Sequence, residues 1–333
     1  MTTFNSLSSL QTIEILTIAI LTIYHQIVSY LDRQNPSPPG NLFTAADGIS
    51  RHLAVRGAGE ITVILDHSLG GVEGYLLINE LAKLTRVCIY DRSGYGWSQM
   101  SRLPRTSTTV VRELDELLNQ AKIAPPYILI GDSFGSYSMR MFAHQFPDRV
   151  AGLILTDGLH ERLMLSLPLQ LQLLKIFFTL SFGFVSIGAT LGIVRGLGML
   201  GVFELIKPNL KKFAPVDLQY VKQSFYSASH WVTMCREMWN LDTSARQLQV
   251  ATNLGDLPVI SIKSKTFIKP VLRINLVALL GADQVRDQIH IDLLKLSTNS
   301  QQVLANQSSH FVWIDQPELI IDAVATLLSK PSK

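Results

Sequence analysis

The chain has 333 residues, of which 47% are hydrophobic and 17% charged, and its formal net charge is +3. This length suits one large α/β domain with an insertion, or two ordinary domains, and the low charge content directs attention to membrane contact. Lysines and arginines are scattered instead of forming a basic stripe with aromatic residues, which argues against a nucleic-acid partner. Cys88 and Cys235 have no metal-ligand or CxxC spacing, so we expect two free thiols and no structural metal.

The first hydrophobic segment lies at the N-terminus. Residues 1–33, which include the stretch LSSLQTIEILTIAILTIYHQIVSYLDR, are predicted to form a hydrophobic helix that anchors the chain in a membrane. Glu14 and His25 leave an uncharged window at or below the ~17 to 25 residues that a bilayer span needs. An amphipathic surface helix and a helix packed on the domain are therefore the alternatives.

Two features follow this helix. Arg33, Arg51 and Arg56 lie on its C-terminal side, and the positive-inside bias then predicts that the rest of the chain is cytoplasmic. Residues 34–41, QNPSPPGN, are predicted to form a stiff linker because they are rich in proline.

Short apolar runs separated by helical stretches fill much of the remaining sequence. Alternating residues at 48–57 predict an edge hairpin strand, and apolar runs predict buried strands at 61–66, 86–91, 127–130, 150–157, 257–262 and 301–306. Helices are predicted at 76–84, 106–121 and 317–329. This order predicts a doubly wound, mostly parallel α/β sheet formed by residues 42–157 and 257–333.

The sequence GDSFG interrupts this pattern between a strand and a helix. Ser133 stands at the corner, with Gly131 and Gly135 on either side, and a turn this tight needs small neighbours. The pattern Gly-x-Ser-x-Gly is that of a nucleophile elbow, which exposes a serine hydroxyl above the sheet and directs the amide of Phe134 at a developing oxyanion. A serine that merely caps the helix is the structural alternative.

Residues 158–256 lack the strand pattern and are predicted to be a helical lid over the carboxyl ends of the strands. Within it, residues 176–194 carry no charge and are flanked by Lys175 and Arg195. A single membrane crossing here would place the two halves of the sheet on opposite sides of the membrane. We therefore expect a hydrophobic lid that docks on the bilayer and lines an acyl-chain pocket; a transmembrane span is the alternative.

Four motifs in this order resemble the α/β-hydrolase superfamily, from about residue 42 to residue 329. LDHSLGG at 65–71 is similar to its oxyanion turn, YDRSGYGWS at 90–98 to its Asp-x-Arg-Gly-x-Gly-x-Ser loop, GDSFGS to its elbow, and SSHFVWIDQPELIIDAV to its terminal histidine loop and helix. The resemblance implies that the amides of Leu69 and Phe134 form an oxyanion hole, although Ser68 replaces the usual glycine. The residues Asp91, Arg92, Gly94 and Gly96 are expected to shape their loop.

His310 is the predicted general base, because it follows the last predicted strand and imidazole exchanges a proton near neutral pH. The acid is less well determined. The superfamily usually places it after the strand at 257–262, where KSKTFIKP has no carboxylate, so Asp157, at the end of the preceding strand, is the predicted acid. Asp283 is the alternative if INLVALL (residues 274–280) is a strand, but its helical context predicts an N-cap; Asp256, Asp287 or no acid are further possibilities.

These residues predict acyl transfer. Ser133 would attack a carbonyl, His310 would act as base and Asp157 would orient the imidazole, with no metal or organic cofactor. The expected enzyme is a membrane-associated serine hydrolase of a lipid-like ester or thioester. An acyltransferase on the same fold, and a non-catalytic ligand-binding or scaffold protein, are the alternatives.

Overall fold

The computed structural model describes residues 9–34, 39–267 and 281–329. In these ranges eight strands form one sheet in the order β1-β2-β4-β3-β5-β6-β7-β8. The first two pairings, β1 with β2 and β2 with β4, are antiparallel, and all the others are parallel. The strands are β1 Asn41–Thr44, β2 Ser50–Arg56, β3 Thr62–Asp66, β4 Arg86–Tyr90, β5 Tyr127–Asp132, β6 Val150–Thr156, β7 Val259–Ser264 and β8 Ser300–Ala305.

Helices connect the parallel strands and cover both faces of the sheet. Thr106 begins one of them by accepting a hydrogen bond from the amide of Thr109, as an N-cap does. The helices are α1 Ser9–Gln34, α2 Ile78–Leu81, α3 Ser107–Gln120, α4 Gly135–Gln145, α5 Glu161–Met164, α6 Leu169–Thr190, α7 Ile193–Met199, α8 Val202–Ile206, α9 Pro215–Tyr226, α10 Ala228–Trp239, α11 Leu241–Gln247, α12 Ala282–Leu293, α13 Val312–Asp315 and α14 Glu318–Leu328.

The central strand β5 shows how the core is divided between the two faces. Leu129 packs with residues of α3 and α4 on one face, whereas Ile128 and Ile130 pack with residues of α2 and α14 on the other. All three side chains are fully buried. A parallel strand that is covered on both faces carries apolar residues at successive positions, which explains why apolar and polar residues do not alternate here.

Helices α5 to α11 lie between β6 and β7 in the chain, in the segment predicted to be a lid, and we refer to this segment as the lid. Helix α6 packs along α10, and Lys175 of α6 forms an ion pair with Asp242 of α11 at 2.6 Å. The N-terminal helix α1 contacts α7, where Arg195 forms an ion pair with Asp32 at 2.9 Å. In this arrangement α1 is attached to the lid.

Two helices of the described chain are long and apolar enough to cross a membrane, by length and composition. They are Gln11–Asp32, within α1, and Leu169–Thr190, which is α6; only 6% and 11% of their most hydrophobic windows are buried. Core helices of soluble proteins would be buried over this length. Both helices instead present apolar side chains outward, including Ile20, Ile23 and Phe184.

Some local predictions differ from the structure. The strand at 50–56 is not at the sheet edge, because β1 pairs with its outer side. The helix expected at 76–84 is a 3-10 turn, Glu73–Leu76, followed by the short α2. The uncharged stretch 176–194 is not one helix, since Gly192 adopts a left-handed conformation between α6 and α7. INLVALL lies outside the described residues.

Candidate active site

Ser133 occupies the sharp turn between β5 and α4. Its backbone has a φ of 46°, a strained value for a residue other than glycine, and its amide is held by the carbonyl of Thr156 at 3.0 Å. A Cβ atom at Gly131 would lie 2.6 Å from the carbonyl oxygen of Gly135, and one at Gly135 would lie 2.5 Å from that of Asp66. The turn therefore has no room for a side chain at either glycine.

Two backbone amides lie beside Ser133. Leu69 and Phe134 line the same cavity as Ser133, and in the described part of the chain neither amide donates a hydrogen bond to a protein acceptor. Unpaired amides next to a nucleophile are the donors that an oxyanion hole requires. The structure thus brings together the two residues that the resemblance implied for this role.

Arg92 holds the turn that carries Leu69. Its guanidinium donates hydrogen bonds to the carbonyls of His67, at 2.8 Å, and Ser68, at 2.7 Å. The same group forms buried ion pairs with Asp66 at 2.6 Å and with Glu237 of α10 at 2.9 Å. The backbone at Ser68 is therefore fixed from outside the turn, and the role of Arg92 extends beyond its own loop to the lid.

His310 and Asp157 form a hydrogen-bonded pair. The distance between His310 Nδ1 and Asp157 Oδ2 is 2.5 Å, and both residues line the cavity that contains Ser133. Asp157 follows β6 with a φ of 41°, a second strained position next to the nucleophile. The amide of His310 donates to the carbonyl of Phe267 at 3.2 Å, which fixes the histidine loop.

The second carboxylate oxygen of Asp157 has its own partners. It accepts from His290 Nε2 at 3.2 Å and from the amide of Ser264 at 3.2 Å, and Arg286 Nε lies 3.7 Å away. His290 is in turn positioned by the hydroxyl of Ser261, 2.9 Å from its Nδ1. Asp157 thus has a histidine on each oxygen.

Electrostatics favour an ionised Asp157. Burial by itself raises the pKa of this carboxyl, but hydrogen bonds from His290 and His310, together with the charges of His310 and Arg286, hold the pKa well below its ordinary value. For His310 burial favours the neutral ring, yet the hydrogen bond to Asp157 and the negative charge of Asp157 raise the pKa above its ordinary value. The pair is therefore suited to stabilise an imidazolium.

The other carboxylates considered from the sequence lie elsewhere. Asp283 accepts hydrogen bonds from the amide of Phe267 at 2.9 Å and the hydroxyl of Thr266 at 3.2 Å, and no contact joins it to His310 in the described residues. Asp287 pairs with Lys263 at 2.7 Å. Asp256 precedes β7, at the opposite end of that strand from Ser264.

The cavity over Ser133 is almost entirely apolar. Its volume is about 190 Å³, and lid residues form its outer wall: Met164, Leu167, Leu171, Leu174, Phe178 and Met238. Such a lining fits a hydrocarbon chain better than a polar substrate. The first half of α6 thus faces the nucleophile, while the same helix exposes Phe184 farther along.

The side chain before the nucleophile is an acid. Burial raises the pKa of Asp132 to about 8, and the hydroxyl of Thr156 donates to it at 2.5 Å. Trp313 donates in turn to that hydroxyl at 2.7 Å. At neutral pH this carboxyl is largely protonated, so most of the negative charge that raises the pKa of His310 comes from Asp157.

The sequence did not single out His290 and Arg286. From the sequence, His290 is rejected as the general base because it lies in a charged helix, and the same helix is otherwise considered only for Asp283 and Asp287. They stand four residues apart and are buried on the same face of α12. Two titratable residues at this spacing on the inner face of a helix could have indicated a polar contact with the sheet edge.

Comparison with known proteins agrees with the geometry. The family model described as alpha/beta hydrolase fold matches residues 61–317. The chain belongs to the α/β-hydrolase fold family. Over 82% of this chain and 86% of the relative, it is 22% identical to the uncharacterized protein YqjL of Bacillus subtilis (strain 168). It is also 32% identical to an uncharacterized vacuolar membrane protein of Saccharomyces cerevisiae (strain YJM789), over 32% of this chain and 18% of that protein.

Solved structures of other proteins share the fold. The enol-lactonase from Burkholderia xenovorans LB400 has a TM-score of 0.57 and 16% identity, and the match covers 87% of this chain and 100% of that one. A putative acyltransferase from Salmonella enterica has a TM-score of 0.63 and 16% identity, covering 88% and 97%. The epoxide hydrolase CorEH has a TM-score of 0.63 and 18% identity, covering 87% and 98%. At these identities the similarity concerns the fold alone.

Proposed function

We propose that the chain is a serine hydrolase that cleaves a carboxylic ester or thioester through an acyl-serine intermediate. One observation carries the proposal: Ser133, the unpaired amides of Leu69 and Phe134, and the His310–Asp157 pair all line one cavity. This combination supplies a nucleophile, a base, an orienting acid and two oxyanion donors.

In the proposed reaction, the Ser133 hydroxyl oxygen attacks the substrate carbonyl carbon while His310 accepts the hydroxyl proton. The amides of Leu69 and Phe134 stabilise the oxyanion of the tetrahedral intermediate. His310 then gives its proton to the departing alcohol or thiol, which leaves an acyl-serine. Water attacks this acyl group with His310 again as base, which releases the acid and restores Ser133.

We further propose that the substrate is lipid-like and reached from a membrane. The apolar cavity wall and the exposed apolar faces of α1 and α6 support this, since a substrate chain could pass from bilayer to nucleophile along hydrocarbon surface. The partial similarity to a yeast vacuolar membrane protein is consistent with it. The cytoplasmic orientation is also a proposal, supported by Arg33 in the last turn of α1 and by Arg51 and Arg56 after it.

Labelling of the detergent-solubilised full chain with a fluorophosphonate probe tests the mechanism. We expect rapid labelling of the wild type and none of Ser133→Ala, with His310→Ala slowed strongly because the base is lost. Ser138→Ala is a matched control, because Ser138 lies on α4 and is fully buried away from the cavity. A folded wild type that stays unlabelled with and without lipid would refute the proposal and favour a non-catalytic binding protein.

Hydrolysis of p-nitrophenyl esters of increasing acyl length tests the substrate class. The apolar cavity predicts that kcat/KM rises with acyl length, since each buried methylene contributes about 0.8 kcal/mol of transfer free energy. A preference for acetate over long-chain esters would contradict a lipid-like substrate while leaving the serine mechanism intact.

A further inference from the structure

A second cavity lies where α1 meets the lid. It has a volume of about 640 Å³ and shares no lining residue with the cavity over Ser133. Helix α1 lines one side through Val28 and Asp32, and α7, α8, α9 and the 3-10 turn Pro208–Lys212 line the others. Unlike the catalytic cavity, this one is rich in charged groups.

The charged groups leave one cation uncompensated. Arg195 pairs with Asp32 at 2.9 Å, and Lys222 pairs with Glu204. Lys211 also lines the cavity; its charge helps to lower the pKa of Glu204, but within the described ranges its ammonium group forms no ion pair or hydrogen bond of its own. Three cations therefore face two carboxylates, and the amides of Gln219 and Gln223 add further donors to the wall.

Arg195 is fixed in place as a preformed donor. It is 8% exposed, and its guanidinium donates to His25 Nδ1 at 3.1 Å and to Ser29 Oγ at 3.2 Å, besides its ion pair with Asp32. Its guanidinium also lies 4.8 Å from the ring centre of Tyr226. A guanidinium ordered in this way loses little further entropy when an anion binds.

Exposed apolar side chains stand next to lining residues of this cavity in the chain, and we call them its apolar rim. Leu205 and Ile206, next to Glu204 in the chain, are 77% and 68% exposed, and Val216, next to the lining residue Pro215, is 53% exposed. Leu31, next to Asp32, is 49% exposed. A cationic recess within an apolar rim matches a molecule that has a phosphate next to hydrocarbon chains.

We propose that this cavity binds the phosphate group of a membrane phospholipid. The excess cation supplies the charge complementarity, and the exposed apolar side chains of α1, α8 and α9 would contact the acyl chains. Binding here would set the depth and rotation of the lid at the membrane surface. The inference rests on the membrane association contained in the proposed function, but not on the serine chemistry.

Flotation of the full chain with vesicles tests the proposal. The Ser133→Ala background prevents lipid hydrolysis, and vesicles of a neutral galactolipid are compared with the same vesicles containing phosphatidylglycerol. Lys211→Ala removes the cation that has no ion pair, and Lys212→Ala is the matched control because Lys212 is exposed like Lys211 but does not line the cavity. We expect phosphatidylglycerol to increase vesicle binding of the protein. This increase should be about tenfold smaller in Lys211→Ala, and it should be reduced clearly less in Lys212→Ala.

Several outcomes would overturn the assignment. Equal losses in the two lysine variants would mean a diffuse attraction to an anionic surface, to which every nearby lysine contributes similarly. Lys211-dependent binding of soluble glycerol phosphate, with vesicle binding that is independent of Lys211, would assign the cavity to a soluble phosphate ester. Hydrolysis of a soluble ester by the Lys211→Ala protein with Ser133 intact separates the two proposals, because it tests the serine mechanism alone.

Discussion

Replacement of Asp157 by asparagine is the sharpest test of the proposed catalytic site. Asp157 is the carboxylate that contacts His310, at 2.5 Å, and Asn keeps its size while removing its charge. Opposite charges whose centres are about 4 Å apart attract by about 4 kcal/mol at an effective dielectric constant of about 20. Loss of this attraction from the imidazolium-like transition state corresponds to about a 1,000-fold fall in kcat/KM.

Asp283→Asn is the matched control, because its carboxylate accepts from Phe267 and Thr266 and is partly exposed. We expect its kcat/KM for a soluble ester to change by less than about threefold. The rates are measured from pH 5 to pH 9, roughly the range over which a histidine base titrates. Since Asp157 raises the pKa of His310, the Asp157→Asn profile should also move to lower pH. A large loss in Asp283→Asn, with Asp157→Asn nearly unaffected, would refute the assignment.

Three further predictions concern residues around this pair. In His290→Gln, Asp157 loses a hydrogen-bond donor, so kcat should fall about tenfold without a change in KM, and the acid limb of the pH–rate profile should move to higher pH. An unchanged profile would mean that His290 serves packing alone. Burial raises the folded-state pKa of Asp132 from 3.8 to about 8, so the wild-type protein loses stability as pH rises through this interval. Asp132→Asn removes the titrating group. In urea unfolding, its free energy of unfolding should equal that of the wild type below about pH 4 and exceed it by up to about 5 kcal/mol near pH 8. A gain that is equal at both pH values would contradict that pKa. Phe178→Ala should shift the preferred acyl length upward in the ester series, since Phe178 lines the cavity wall; the same length profile as the wild type would place the acyl chain elsewhere.

The parts of the site that are local in sequence could be predicted. The strand, turn and helix around Ser133 occupy residues 127–145 without a break, and the small residues that the turn requires stand within two positions of the serine. His310 lies just after β8 and ahead of α13, so its loop was also identified from neighbouring elements. In both cases the physical requirement and the residues that meet it share one short segment.

The acid could not be chosen in this way. Asp157 follows β6 and Asp283 stands in the first turn of α12, and the difference between them arises only when β6 and α12 take their places beside the histidine loop. Asp283 then lies beside Phe267 and Thr266, whereas Asp157 faces His310. The segment INLVALL, on which the alternative depended, lies outside the described residues. Tertiary contacts, and not local pattern, select between two similar carboxylates.

The attachment of the lid limits how a substrate can enter. Helix α10 is joined to the core by the buried Arg92–Glu237 pair and by Arg236, which donates to the carbonyls of Ser101 and Leu103 at 2.6 Å each. Breaking a buried ion pair by separating its partners costs about 3–5 kcal/mol, and Arg92 also holds the turn of Leu69. Rotation of α10 would therefore disturb the oxyanion turn. The ion pair between Lys175 of α6 and Asp242 is partly exposed and costs far less to break than the Arg92–Glu237 pair, so we expect a substrate to enter by a movement of α6 that leaves α10 and the catalytic residues in place.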